Sequence, residues 1–166
     1  TGLIVEKDAA GTWRWIGWST NKFMDWDGEI MAESAHKEYM EWLDENPDMS
    51  PAFMSWHTPD TVRKSAVDFW TYENGFVIMS GPLTEEEAAG LLSVQKEIDL
   101  GMSHGTLVLS RDPQNKTVIT KYRMYEVSDL PLENAANPFT SLETVTKEAG
   151  MDKKKYFEQL FGKDKA

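Results

Sequence analysis

The sequence predicts an α+β fold, built mostly from antiparallel strands with a few helices. Three observations carry that expectation. Short apolar segments with two-residue alternation recur between residues 3 and 129. Asn74-Gly75, between two of them, is a hairpin-turn signal. Two longer segments carry helical signals: one is stopped by Pro47, and the other opens with Thr84-Glu85-Glu86-Glu87, a capping box.

Composition narrows the function classes. A chain of 166 residues is one domain's worth, and 40% hydrophobic residues with seven Trp and seven Phe can bury a real core. The absence of cysteine excludes a disulfide scaffold and a thiol nucleophile. A net charge of -11 argues against a nucleic-acid backbone as partner. No run of about 18 apolar residues is present, so no membrane-spanning helix is expected.

Residues 3–6 and 12–19 read as two strands joined by a Gly-containing turn, with Trp13 and Trp15 alternating in the second. The tryptophans are expected in the core. The loop 21–30 carries Asp25, Asp27 and Glu29, but without the twelve-residue calcium-loop spacing it reads as a solvated turn. Residues 32–46 form a helix whose apolar stripe is Ala35, Tyr39, Trp42 and Leu43. His36 lies off that stripe and is expected at the surface. Residues 51–57 are strand-like, with Phe53, Ser55 and His57 on one face and His57 at the strand end. Residues 63–71 and 75–83 pair across the Asn74-Gly75 turn. The helix opened by Thr84 runs to about Asp99, with Leu91, Leu92 and Ile98 inward.

The next strand, 100–109, holds a polar Ser103-His104 pair between Gly101 and Gly105. Alternation puts Ser103, Gly105, Leu107 and Leu109 on one face, expected to be half buried, and Met102, His104, Thr106 and Val108 on the other. After a turn at 112–116, the strand 117–129 puts Val118, Tyr122, Met124 and Glu126 on a common face. A carboxylate on a partly apolar face needs a partner. Pro131 stops the strand, and 134–140 is a turn-rich exit. Residues 141–166 are polar and lysine-rich, with a short amphipathic piece at Tyr156, Leu160 and Phe161. The organisation expected is therefore a domain over 1–140 and a tail or linker over 141–166.

Ser103, His57 and Glu126 come from three different strands and have the chemical types of nucleophile, base and carboxylate orienter. A serine taken alone is most often a core filler, and a histidine at a strand end is most often structural. There is no G-x-S-x-G elbow, no H-E-x-x-H or Cys/His cluster and no glycine-rich phosphate loop. No metal or cofactor is expected.

Glu126-Val127-Ser128-Asp129-Leu130-Pro131, followed by Ala135-Ala136-Asn137-Pro138, resembles the Glu-Val-Ser-aliphatic-aliphatic-Pro and Ala-Asn-Pro run of the prohead (capsid maturation) proteases of tailed bacteriophages. Asp25-Trp26-Asp27-Gly28-Glu29-Ile30 is similar to their early Asp-x-x-Gly-Asp/Glu segment. Trp56-His57 stands where the family carries its catalytic histidine, and Ser103-His104-Gly105 resembles its Ser-x-Gly. The resemblance covers most of residues 3–140. Two positions depart from the pattern: Thr106 replaces a common aromatic, and Asp129 replaces an aliphatic.

That resemblance implies an antiparallel β-barrel core surrounded by a few helices, similar to the herpesvirus assemblins. It implies a serine endopeptidase with Ser103 as nucleophile, His57 as base and Glu126 as third member. Asp129 is the competing carboxylate, on the opposite strand face. Assemblins use a second histidine as third member, but His104 points away from its neighbour Ser103. No Arg-Arg pair is present to support an oxyanion, which leaves backbone amides near Gly105. The implied substrates are phage scaffold and major capsid protein, and the chain itself, cut inside an assembling prohead in the host cytoplasm. A homo-oligomer is compatible with this reading; nucleic acid and membrane are not expected partners. The alternatives are a non-catalytic capsid-assembly or scaffold-like module of the same fold, and a small β-barrel ligand-binding domain.

Overall fold

The computed structural model describes residues 3–23, 28–63 and 67–134. Asp25, Asp27, the Ala-Asn-Pro run at 135–138, the tail 141–166 and its amphipathic piece lie outside the described residues.

In chain order the strands are β1 (Leu3–Lys7), β2 (Trp13–Asn21), β3 (Ile30–Met31), β4 (Ala52–Ser55), β5 (Phe69–Glu73), β6 (Phe76–Pro82), β7 (Leu100–Arg111) and β8 (Val118–Pro131). The α-helices are α1 (Glu33–Glu45) and α2 (Glu85–Gln95). One sheet has the order β1-β2-β6-β5, with every pair antiparallel. In the other, β8 is central: β7 pairs with it antiparallel, and β3 and β4 pair with it in parallel at its two ends. The architecture is α+β as expected.

The described strands form two sheets, not one closed barrel. The physical reason lies between β2 and β7, where closure would need a hydrogen-bond ladder. Side chains fill that space instead. A Cβ added at Gly17 would sit 2.9 Å from the Met102 side chain, so the glycine lets Met102 pack against the β2 backbone. The sheets are joined through their side chains: Trp15 of β2 stacks on Phe53 of β4 with ring centroids 4.1 Å apart. Trp15, Trp18, Phe53, Tyr39 and Tyr122 are all fully buried.

Both helices form where their signals place them. In α1, Ala35, Tyr39 and Leu43 face the core as the spacing predicts. His36 does not lie at the surface; it is completely buried. Its Nε2 lies 3.0 Å from the Asn21 carbonyl and its Nδ1 lies 2.7 Å from the Tyr122 hydroxyl. The carbonyl can only accept, so Nε2 carries the proton and the tyrosine hydroxyl donates to Nδ1. The ring also stacks on Tyr72. Those partners come from β2, β5 and β8, and together they make a polar slot that α1's own periodicity does not reveal. The Thr84 capping box closes α2 at its N-terminus with both reciprocal bonds. The helix ends at Gln95, before Asp99, and Ile98 is exposed. The hairpin turn is built as expected, with Asn74 and Gly75 both at positive φ.

Candidate active site

Strand β4 ends at Ser55 and does not reach His57. The next two residues, Trp56 and His57, have φ of 50° and 57°, and the Thr58 amide donates to the Ser55 carbonyl at 3.0 Å. Two successive left-handed residues across such a bond are the conformation of a tight mirror-image turn, which ordinarily favours Asn and Gly. His57 therefore leaves the strand plane and does not share a face with Phe53. The turn is tied to β8 by two bonds: the Trp56 amide donates to the Asp129 carbonyl at 3.1 Å, and the His57 amide donates to the Ser128 hydroxyl at 3.0 Å.

On β8 a β-bulge decides which way the carboxylate points. Gly105 pairs with Glu126 and the next residue, Thr106, pairs with Met124, so Tyr125 is the extra residue. Neighbouring residues of β7 face opposite ways, and so do their partners. Glu126 thus lies on the face of Ser103, Gly105 and Ser128, while Met124 and Tyr122 lie on the core face. The expected common face of Glu126 with Tyr122 and Met124 is lost to the bulge. Leu107 and Leu109 also differ from expectation: they are exposed, and Met102 on the opposite face is buried.

The result is a polar constellation on the outer side of the β7–β8 pair. His57 Nδ1 is hydrogen-bonded to Glu126 Oε1. The Glu126 side chain is 3% exposed and the His57 side chain 45%, so the pair runs from interior to solvent. A carboxylate can only accept, so Nδ1 carries the proton and Nε2 is left as the acceptor nitrogen. The other carboxylate oxygen accepts from the Ser128 hydroxyl at 2.6 Å. A Cβ added at Gly105 would lie 2.7 Å from Glu126 Oε1 and would strike the Tyr125 ring. The glycine is what allows the carboxylate to lie against β7.

Ser103 stands directly opposite Ser128. Directly opposed residues have Cβ atoms roughly 5 Å apart. The structure therefore brings His57 and Glu126 together and places Ser103 beside the serine that binds both. It closes no hydrogen bond between Ser103 and His57, a contact that is often loose without substrate. His57, Glu126, Gly105, Thr106 and Tyr125 line a cleft of about 470 Å³. Ser103 lines a second hollow of about 230 Å³ on the other flank of β7, and His104 and Thr106 border both.

Asp129 is engaged elsewhere. Its carboxylate lies 2.8 Å from the Arg63 guanidinium, which also caps the Phe53 ring and donates to the Met54 carbonyl. Burial raises the Asp129 pKa and Arg63 opposes that rise. His104 turns to the Thr106 hydroxyl, and burial pushes its imidazole down to about 4. Among the described residues no group of three His, Asp or Glu side chains could hold a metal ion. Sequence reasoning gave no role to Ser128, although alternation from Glu126 places the two on one face. It also gave no sign of the left-handed turn at Trp56-His57.

No known protein-family model matches the sequence, and no curated protein matches it. Among solved structures, the bacteriophage T4 capsid assembly protease, gp21, is similar, with a TM-score of 0.58 over 76% of this chain and 90% of that one. The two are 7% identical in sequence. The likeness is one of fold: this chain shares the fold of a phage capsid assembly protease.

Proposed function

We propose that the chain is a serine endopeptidase of prohead maturation, with Ser103 as nucleophile, His57 as general base and Glu126 as the carboxylate that orients it. The observation that carries this reading is the His57–Glu126 pair, buried at its carboxylate end and open to a cleft at its imidazole end, within a protease fold. Glu126 keeps the proton on Nδ1, so Nε2 can take the proton from the Ser103 hydroxyl as its oxygen attacks a peptide carbonyl. The same nitrogen then returns the proton to the leaving amine. Backbone amides near Gly105 are the proposed oxyanion donors. Substrate binding would close the Ser103–His57 contact. The substrates would be scaffold and major capsid protein, and segments of the chain itself, inside the prohead in the host cell; a homo-oligomer is compatible with this. The likeness to herpesvirus assemblins and the boundary between a protease domain over 1–140 and a tail over 141–166 belong to the same proposal.

The test is cleavage of scaffold and capsid protein in an assembly assay with Ser103→Ala, His57→Ala and Glu126→Gln. The first two should abolish cleavage to the same extent, because nucleophile and base act as a unit. Neutralising the acid of a serine-protease triad costs about four decades of rate. Glu126→Gln should show a clear loss of that kind, and Asp129→Asn, whose partner is Arg63, a mild one. The open Ser103–His57 geometry favours a second reading, a non-catalytic capsid-assembly module of the same fold. Cleavage by a Ser103→Ala protein would end the serine mechanism, and an inert wild type would select the second reading.

A further inference from the structure

We propose that Ser128 is the positioning residue of the His57–Glu126 pair, holding the carboxylate and the histidine-bearing turn with one hydroxyl. Ser128 is completely buried. Its hydroxyl has one proton to give, and gives it to Glu126 Oε2 at 2.6 Å. Its oxygen accepts the His57 backbone amide at 3.0 Å. The two residues it binds also bind each other, through His57 Nδ1 and Glu126 Oε1. These three bonds form a closed ring through Ser128, the His57 backbone, its imidazole and the carboxylate.

A closed ring does what no single bond in it can. The Glu126 carboxylate has two oxygens and a soft terminal torsion; a bond to Oε2 fixes its plane, and so the direction of Oε1. His57 sits in a turn of two left-handed residues, a conformation that side chains rarely adopt and that surrounding bonds must hold. The amide-to-Ser128 bond is one of those holds, and it acts on the residue that carries the imidazole. Ser128 therefore controls both halves of the geometry that keeps Nδ1 protonated and aims Nε2 at the cleft. Alanine keeps the backbone and removes only this hydroxyl, leaving the part-buried His57 amide and a buried carboxylate oxygen each short of that partner.

The kinetic consequence rests on the proposed serine mechanism; the spectroscopic one does not. The experiment records nitrogen NMR of histidine-labelled protein across pH, for wild type, Ser128→Ala and Ser128→Thr, alongside peptide cleavage. Wild type should show His57 as a single tautomer with the proton on Nδ1 and a slowly exchanging Nδ1 proton. Ser128→Ala should retain its circular dichroism yet show mixed tautomers and fast exchange. Its kcat should fall roughly tenfold to a hundredfold, the size expected for one hydrogen bond to a charged group, with KM little changed. Ser128→Thr, which keeps the hydroxyl, should restore the signature. An unchanged His57 tautomer and exchange rate in folded Ser128→Ala would overturn the assignment, even if the protein proves to be a protease. A wild type that cleaves nothing but loses its tautomer on Ser128→Ala would sink the enzymatic reading and leave the positioning role standing. If Ser128→Ala fails to fold, wild-type hydrogen exchange decides: a rapidly exchanging His57 backbone amide overturns the proposal, and a protected one supports it.

Discussion

At the scale of the residue, two positions set limits on substitution. Gly105 is required by contact, since a methyl group there would meet both Glu126 Oε1 and the Tyr125 ring. Tyr125 is exposed and can swing away, but Glu126 is held by His57 and Ser128. Gly105→Ala should therefore lower stability by about 1–3 kcal/mol, the usual cost of overpacking, measured by urea denaturation. Its loss of cleavage should exceed that of a stability-matched change in α2. His36 sets a limit in pH. Burial pushes its imidazole down to about 4, whereas an unfolded histidine takes up its proton near 6.5. The stability this secures is complete above about pH 6.5 and is lost as the pH falls toward 4, by up to roughly 3 kcal/mol. In His36→Gln the loss between about pH 7 and pH 4.5 should be smaller by about 2 kcal/mol than in wild type. Equal losses would show that His36 accepts its proton without disturbing the Tyr122 and Asn21 contacts.

At the scale of the element, the turn 55–58 and the bulge at Tyr125 shape the candidate site, and they differ in how far the sequence shows them. The Asn74-Gly75 hairpin is legible because its residues suit its backbone. Trp56-His57 adopts a similar left-handed pair with residues that suit it poorly. A left-handed non-glycine residue costs about 1–2 kcal/mol, and Asn bears it more easily than Trp. Trp56 is 54% exposed, so little burial offsets that cost. Trp56→Asn should raise the thermal midpoint by a few degrees. A fall would mean that the exposed indole makes a stabilising contact. The bulge has no such local mark: nothing in Tyr122-Arg123-Met124-Tyr125-Glu126 distinguishes an unbroken strand from one with an extra residue. Only pairing with β7 reveals that Thr106 skips Tyr125 and meets Met124.

For the whole molecule, the site depends on how the two sheets meet. Phe53 is fully buried, stacked on Trp15 from the first sheet and capped by Arg63 on the path toward Asp129. It lies on β4, four residues before His57, so the inter-sheet contact is made by the short strand that leads into the turn carrying the candidate base. Phe53→Ala should cost about 3–5 kcal/mol, as large aromatic truncations in a core do. The surviving folded protein should lose protection of the His57 backbone amide, read by hydrogen exchange. A destabilised variant with that protection intact would show that β8 alone holds the turn.

The sequence by itself determined the local elements: the capped helix, the helix stopped before Pro47, the Asn-Gly hairpin and the long strands carrying Ser103 and Glu126. These follow from short-range chemistry, in which a side chain caps a nearby amide or a residue tolerates a left-handed φ. It also singled out His57 and Glu126 as residues worth watching, on type and order. The tertiary structure alone decided that β2 and β7 remain in separate sheets, that His36 is buried, that Leu107 and Leu109 face outward, and that Glu126 turns to His57 and Ser128 while Asp129 turns to Arg63. Each of those depends on a partner far away in the chain. Periodicity records a residue's alternation with its neighbours, whereas a bulge reverses that alternation only through the strand it pairs with.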